Sequence, residues 1–187
     1  MKGKHHISLK VPAYEDYSAF YDARFRDEVM YWADDVPHPL SLDEYPGGRM
    51  LAQATGVILE RIILLDGEPI GTVTGREFSP QHQCTLGVVI AREAAWGHGY
   101  GYEAIRMFLN VLALEGVSSV VLETYANNYR AQRCFYKLGF QKKRVYFSPV
   151  SGRFVIQMSH HLSAVRPIGE VIGPDDPRWR PPRRTEG

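Results

Sequence analysis

Cysteine, long apolar runs and an excess of charge of one sign are all scarce in this sequence. Only two of its 187 residues are cysteines, Cys84 and Cys134, which are too few for a disulfide framework and lack a metal-ligand spacing. No stretch reaches the roughly 18 apolar residues that span a bilayer, and no apolar signal-peptide core follows the first residues. The net charge of +1 gives no reason to expect a nucleic-acid or membrane partner. These absences predict a cytoplasmic protein with reduced thiols.

The composition is that of an ordinary globular protein, with 44% hydrophobic and 23% charged residues. At this length the chain fits one domain. Residues from 163 onward are rich in proline and arginine and show no apolar periodicity. The sequence therefore predicts a domain over residues 1–162, followed by an irregular tail over residues 163–187.

Hydrophobic periodicity predicts an antiparallel meander that leads into a strand–loop–helix–strand–helix unit. The predicted strands cover residues 5–11, 57–65, 70–78, 85–91, 117–124, 140–147 and 154–160, with a hairpin turn over 66–69. Helices are predicted over about 15–26, 102–115 and 129–138, while 31–48 looks irregular apart from a short helix compatible with 41–54. This order predicts a mixed α/β (α+β) fold with a mostly antiparallel central sheet flanked by helices.

Three glycines alternate in residues 96–101, between a predicted strand and a predicted amphipathic helix. Free backbone N–H groups and the helix dipole favour a phosphate at a helix N-terminus. Glycine allows positive φ there and lets the anion approach the backbone. A merely flexible connector is the alternative, but the strict alternation next to a helix start favours a site. The loop therefore predicts binding of the pyrophosphate of a nucleotide-containing cofactor.

The same loop fits a dinucleotide-binding fingerprint almost as well. Residues 99–104 satisfy G-x-G-x-x-A, and Glu123 ends the next predicted strand about twenty residues further on. Two features count against this alternative: residues 92–96 separate the strand from the glycines, and a meander precedes the loop instead of repeated βαβ units. A Walker-type phosphate loop is excluded because no Lys-Ser or Lys-Thr pair follows the glycines.

The loop and a second segment together resemble the GNAT N-acetyltransferases. Residues 96–101, followed by Glu103 and Ala104, resemble the acyl-CoA loop of that family, (Gln/Arg)-x-x-Gly-x-(Gly/Ala). One helix and one strand later, residues 128–131 and 135–140 resemble its Asn-x-x-Ala…Tyr-Glu-Lys-x-Gly-Phe segment. Tryptophan in place of the first Gln or Arg is similar to the branch that acetylates ribosomal-protein N-termini. The order of predicted elements extends the resemblance over residues 5–162.

The resemblance implies a GNAT-type acyl-CoA fold with acetyl-CoA as co-substrate and no metal. The strand backbone at 89–91 would pair with the pantetheine arm, and the loop amides would bind the pyrophosphate. Asn127 or Asn128 can cap the helix that follows, and by resemblance Asn128 could also contact the cofactor, while Arg130 could reach a phosphate or simply be an exposed helix arginine. The implied cofactor-binding residues are Val89, Ile90, Ala91, Trp96, Gly97, His98, Gly99, Tyr100, Gly101, Asn128 and Arg130.

The catalytic residues are less clearly implied. Glu123 stands where the ribosomal branch has a catalytic glutamate; an exposed strand carboxylate is the alternative, and a water chain could also serve as base. The family's usual acid, a tyrosine seven residues after the asparagine, is replaced here by Phe135. Tyr136 is the neighbouring candidate, but it lies about 100° further round the helix. Either another hydroxyl donates the proton, the thiolate leaves without an acid, or catalysis has been lost.

By the same resemblance the acceptor lies between the first helices and the last hairpin. An aromatic cluster with nearby carboxylates would suit an amine-bearing small molecule or peptide, unless these rings are ordinary core. The first hypothesis is therefore an acetyl-CoA-dependent N-acetyltransferase, and the alternatives are a catalytically silent acyl-CoA-binding module and a nucleotide-dependent oxidoreductase. Exposed strand edges are compatible with a homodimer. The residues in question are Tyr31, Trp32, Tyr45, Tyr146 and Phe147, with Asp34, Asp35, Asp43 and Glu44.

Overall fold

A seven-stranded sheet lies between two helical layers in the computed structural model, which describes residues 5–33 and 41–162. The strand order is β1-β2-β3-β4-β5-β7-β6. This is the mixed, mostly antiparallel fold that the periodicity predicts, and that prediction is confirmed. The strands are β1 (Ile7–Lys10), β2 (Ile58–Leu65), β3 (Glu68–Arg76), β4 (Gln83–Ile90), β5 (Ser119–Tyr125), β6 (Gln141–Ser148) and β7 (Arg153–His161). The helices are α1 (Tyr14–Arg24), α2 (Asp27–Ala33), α3 (Glu44–Ala54), α4 (Tyr100–Leu114) and α5 (Tyr129–Lys137), with a 3₁₀ turn at Glu93–Ala95.

Of the strand pairs in the described residues, β4 with β5 alone is parallel. Their ladder joins residues 83–85 to residues 119–121 and then ends. Beyond it β4 continues to Ile90 and β5 to Tyr125 without pairing with each other. A gap, called here the β4–β5 gap, therefore opens between two antiparallel half-sheets. A single short parallel pair also shows that the dinucleotide alternative is wrong, because that fold needs a largely parallel sheet of βαβ units.

Neighbouring residues of one strand show how the sheet separates the two helical layers. Ile63 on β2 packs in a cluster with Phe108 of α4, whereas Ile62 packs with Tyr17 and Phe20 of α1. Successive side chains of a strand point to opposite faces. Helices α4 and α5 therefore cover one face, and α1 and α3 cover the other.

A buried carboxylate fastens the α1 and α3 layer to the sheet. Glu60 on β2 is completely buried and accepts hydrogen bonds from the hydroxyls of Tyr17 and Thr74 and from the Arg49 guanidinium. Burial and the neighbouring carboxylate together raise the pKa of Tyr17. Donors reach both carboxylate oxygens of Glu60, and these hydrogen bonds offset the free-energy cost of burying the carboxylate. The sequence offered no signal for this cluster.

Several predicted boundaries are wrong by a few residues. The β1 strand ends at Lys10, one residue before its predicted end, and Val11 is 61% exposed. Residues 31–33, predicted to be irregular, form the end of α2. The β2–β3 turn uses only residues 66 and 67, both with positive φ as a two-residue hairpin requires, so residues 68 and 69 belong to β3. Predictions for residues 1–4, 34–40 (which include Asp34 and Asp35) and the tail 163–187 lie outside the described residues.

Gly71 on β3 leaves no room for a side chain. An added Cβ would lie 1.9 Å from the carbonyl oxygen of Val89 on β4, a backbone atom that cannot swing away. Gly71→Ala is therefore expected to push β3 and β4 apart and to lower the free energy of unfolding by about 2–3 kcal/mol. Gly87→Ala is the matched control on β4, since a Cβ there would meet nothing within 4 Å. Equal denaturant midpoints for the two variants would contradict the expectation.

Candidate active site

The β4–β5 gap opens into a cleft of about 1560 Å³. Its lining comprises residues 5–7, the end of β4, the loop of residues 95–101, the first turns of α4 and one side of α5, with α2 contributing Val29, Trp32 and Ala33. The structure thus brings together most of the predicted cofactor residues, namely Val89, Ile90, residues 96–101, Asn128 and Arg130. Three predicted site residues are not among its lining: Ala91, Glu123 and Tyr136.

The loop leaves the N-terminus of α4 open. Gly97 and Gly99 have φ of +80° and +87°, and an added Cβ at either position would meet nothing within 4 Å. These glycines are therefore required by backbone conformation and not by crowding. Gly99 directly precedes α4, and no side chain within the described part of the chain caps the helix. The N–H groups of its first turn keep free donor capacity at the positive end of a 15-residue helix, as a bound phosphate requires.

Trp96 ties the loop to both walls of the cleft. Its indole Nε1 donates to the carbonyl oxygen of Ile90 at 2.8 Å, and the guanidinium carbon of Arg130 lies 3.9 Å from the ring centroid. We call this arrangement the Trp96 bracket. Partial burial lowers the pKa of Arg130, as expected for a guanidinium packed over an indole. Asn128 caps α5 as predicted, because its Oδ1 accepts from the N–H of Ala131 at 3.2 Å.

The β3–β4 ladder determines which amides of β4 face the gap. Ala91 donates its N–H to β3 at 2.8 Å, and paired and unpaired positions alternate along an antiparallel ladder. The backbone groups of Val89 are therefore turned towards β3, while those of Val88 and Ile90 point into the gap. Because Trp96 occupies the Ile90 carbonyl and the β4–β5 ladder ends at Thr85, the groups on β4 that no described strand pairs with are the N–H groups of Val88 and Ile90 and the Val88 carbonyl. Val88 was missed from the sequence, where register is not visible.

Glu123 lies on the opposite face of β5 from the buried Leu122, on the side of the sheet that carries α1 and α3. Its Oε2 accepts from the hydroxyl of Tyr146 at 2.8 Å, and its Oε1 accepts from Nε2 of Gln157 at 3.0 Å. Each oxygen accepts one of these bonds, so about two of the four acceptor positions of the group stay unused by the described residues. The arrangement can hold the carboxylate in one orientation while it accepts a proton.

Arg153, at the start of β7, holds helix α2 next to β5, the strand that carries Glu123. Its guanidinium donates to the backbone carbonyl of Tyr31 at 2.7 Å and to Oδ1 of Asn127 at 3.2 Å. The guanidinium carbon also lies 4.1 Å from the ring centroid of Tyr31 and 3.3 Å from that of Tyr125. Helix α2 is therefore held across the ends of β5 and β7.

The aromatic residues predicted around the acceptor separate into distinct groups. Tyr31 and Trp32 surround the arginine at the start of β7. Tyr146 donates to the glutamate of β5, while Tyr45, on α3, is buried against α1. Phe147 packs edge-on against a phenylalanine of β7, at 5.5 Å between centroids. Tyr45 is therefore an ordinary core residue, which is the alternative to a place in an acceptor site. Tyr146, in contrast, contacts Glu123, and helix α2 lies next to the strand that carries it. Of the predicted carboxylates within the described residues, Asp43 and Glu44 lie at the start of α3.

The position of the family's usual acid carries no hydroxyl. Phe135 lines the cleft and is 5% exposed, whereas Tyr136 is 49% exposed and outside the lining. Cys134 also lines the cleft, but burial raises the pKa of its thiol to about 11. The leaving thiolate is the conjugate base of an ordinary thiol, whose pKa is about 8.5. Such a thiolate does not readily take a proton from the weaker acid Cys134. Cys134 is therefore a poor donor to a leaving thiolate.

Within residues 5–33 and 41–162, no group of three His, Cys, Asp or Glu side chains is placed to hold a metal ion. No helix in that part of the chain is long and apolar enough to cross a membrane. The features that are present are an open strand edge, a glycine loop and an uncapped helix N-terminus. They define the class of proteins that hold an extended, pyrophosphate-bearing cofactor between two separating strands.

Comparison with known families identifies this class further. The sequence model of the acetyltransferase (GNAT) domain matches residues 6–141. The chain belongs to the GNAT acetyltransferase family and is an acyltransferase that uses acetyl-CoA. Both the predicted family and the predicted co-substrate are confirmed. No curated protein matches the sequence.

Solved structures with the same fold act on different acceptors. The chain is similar to RimL, a ribosomal L7/L12 alpha-N-protein acetyltransferase in complex with coenzyme A (TM-score 0.75, 14% identity, 84% of this chain and 95% of that one). It is also similar to a spermidine N-acetyltransferase from Vibrio cholerae in complex with CoA and spermine (TM-score 0.75, 15% identity, 84% of this chain and 96% of that one). A third similar structure is that of the aminoglycoside acetyltransferase AAC(6')-Ib in complex with coenzyme A (TM-score 0.69, 18% identity, 83% of this chain and 95% of that one). The predicted likeness to ribosomal-protein acetyltransferases is confirmed, while such low identities establish the fold and not the acceptor.

Proposed function

We propose that this enzyme transfers the acetyl group of acetyl-CoA to a primary amine, on a peptide N-terminus or a small molecule, with Glu123 as general base. The observation that carries the proposal is the orientation of Glu123, whose two oxygens are held by Tyr146 and Gln157. The three similar proteins named above act on amines of three kinds, which supports an amine acceptor without selecting one.

In this proposal the backbone of the chain binds the cofactor. The N–H groups of Val88 and Ile90 and the carbonyl of Val88 face the β4–β5 gap, where they can pair with the amides of the pantetheine arm as a neighbouring strand would. The loop of residues 96–101 and the first turn of α4 receive the pyrophosphate. A strand N–H that is not engaged by the arm can donate to the thioester carbonyl oxygen as negative charge develops there.

The proton leaves the amine through Glu123. Acetyl-CoA supplies an activated acetyl group, and the chain must supply a neutral amine at the right distance. Glu123 is exposed, and each of its oxygens keeps an acceptor position beyond the bonds from Tyr146 and Gln157, so it can take the proton directly or through one water. The leaving thiolate needs no side-chain acid in this proposal, because a thiolate is a stable leaving group compared with an alkoxide.

The test measures acetyl-CoA-dependent thiol release with peptides bearing free N-termini, polyamines and aminoglycosides, and with N-acetylated peptides as blocked controls. Turnover on at least one amine class and on none of the blocked peptides is expected. Tyr136→Phe should then change kcat by less than about twofold, whereas a loss of tenfold or more would identify Tyr136 as the acid. Tight CoA binding without turnover on any amine would favour the catalytically silent module instead.

A further inference from the structure

The cleft concentrates positive charge that the pyrophosphate site does not use. The whole chain has a net charge of +1. The cleft lining, in contrast, has four arginine or lysine side chains and a single carboxylate within the described residues. This local excess marks a place for more negative charge than the backbone of the loop neutralises. The side chains are Arg106, Arg130, Arg133, Lys137 and the carboxylate of Glu103.

Two of these cations are already engaged. Arg106 donates to Glu103 at 2.9 Å, one helical turn away on α4. Arg130 belongs to the Trp96 bracket. Arg133 and Lys137 are both exposed, and neither forms an ion pair with any residue that the structure describes.

The two free cations lie on the same side of α5 as the bracket. Residues 130, 133 and 137 fall within about 60° of one another around a helix of 3.6 residues per turn. Along the axis, Arg133 lies about 4.5 Å and Lys137 about 10 Å beyond Arg130. Because the bracket holds the first turn of α5 against the loop, this stripe begins beside the pyrophosphate site and leads away from it along the cleft.

We propose that Arg133 and Lys137 bind the 3′-phosphate of coenzyme A and make the enzyme select the phosphorylated cofactor. The inference rests on acetyl-CoA as co-substrate, which family membership gives. A phosphomonoester carries about −1.5 to −2 charges at neutral pH and offers three acceptor oxygens. Backbone N–H groups at the start of α4 serve the pyrophosphate, and side-chain cations serve the phosphomonoester through charge-assisted hydrogen bonds.

The test compares CoA with 3′-dephospho-CoA by calorimetric titration of the full chain. The wild type is expected to bind CoA about 20-fold more tightly than the dephospho form, and the R133Q/K137Q variant less than about threefold more tightly. The affinity for 3′-dephospho-CoA should stay within about twofold. The preference of the wild type should shrink between about 0.05 and 0.5 M salt, because exposed cations are screened.

Arg106→Gln is the matched control, because it removes one positive charge from the same cleft at a side chain already neutralised by Glu103. It should leave the ratio of the two dissociation constants within about twofold of the wild-type ratio. Equal affinities of the wild type for the two ligands, or equal weakening of both in R133Q/K137Q with helix content unchanged, would overturn the selection proposal. Failure of the wild type to bind either ligand would overturn the CoA site itself.

Discussion

Replacement of Glu123 by glutamine is expected to lower kcat by about 10²–10³-fold while the dissociation constant of CoA changes by less than about twofold. Glutamine keeps the shape of the side chain, and its carbonyl oxygen can still accept from Tyr146, but the amide cannot take up a proton. The cofactor cleft does not include Glu123, so binding should survive the change. Steady-state rates with the best acceptor, and titration with CoA, measure the two effects separately.

Glu115→Gln is the control for this substitution, since Glu115 is exposed at the far end of α4. Its kcat should stay within about twofold of the wild-type value. Tyr146→Phe removes one donor to Glu123 and should cost about threefold to tenfold in kcat, a smaller effect than loss of the base itself. A glutamine variant that retains more than a third of the wild-type kcat would show that the base is elsewhere, with a water chain the remaining candidate.

A second large effect is expected at Gly99, where valine should weaken CoA binding by about 30–100-fold. The residue has φ of +87°, a conformation that costs a β-branched side chain about 1–3 kcal/mol. The Cβ would also project into the open space through which a phosphate approaches the start of α4. Calorimetric titration with CoA gives the loss directly, and circular dichroism verifies that the variant is folded.

Gly101→Ala separates this effect from a general intolerance of the loop. Gly101 has no positive φ, and an added Cβ would make an ordinary contact at 3.9 Å with Ile90. The alanine variant should therefore bind CoA within about threefold of the wild type. If Gly99→Val and Gly101→Ala bound CoA equally well, the left-handed backbone of the loop would not be what the phosphate requires.

The part of the molecule that sequence could predict is the part that local chemistry determines. The glycines of the loop, the amphipathic stripe of α4 and the Asn128 cap all show as short patterns, because each depends on residues within one or two turns. Helix α2 left no such pattern: only Val29 of its seven residues is buried. Seven residues with one buried position give no periodicity to detect.

The rest depends on partners that are distant in sequence. Glu123 could be named from its place before Asn128, but Tyr146 and Gln157 reach it only because β7 inserts between β5 and β6. The backbone groups of Val88 and Ile90 point into the β4–β5 gap because of the register between β3 and β4, and the sequence of one strand does not reveal that register. Trp96 could be noted as an unusual residue of the motif, while its bond to the Ile90 carbonyl required the folded chain.

The three-position ladder between β4 and β5 gives the co-substrate a role in the cohesion of the molecule. Two antiparallel half-sheets meet there with little shared hydrogen bonding. A ligand that pairs with the free edge of β4 adds contacts along this seam, so its binding free energy also opposes separation of the halves. Amides next to the seam should exchange their hydrogens sooner than those of β2 and β3, and saturation with CoA should slow them most. The free energy of unfolding should therefore rise with the concentration of acetyl-CoA.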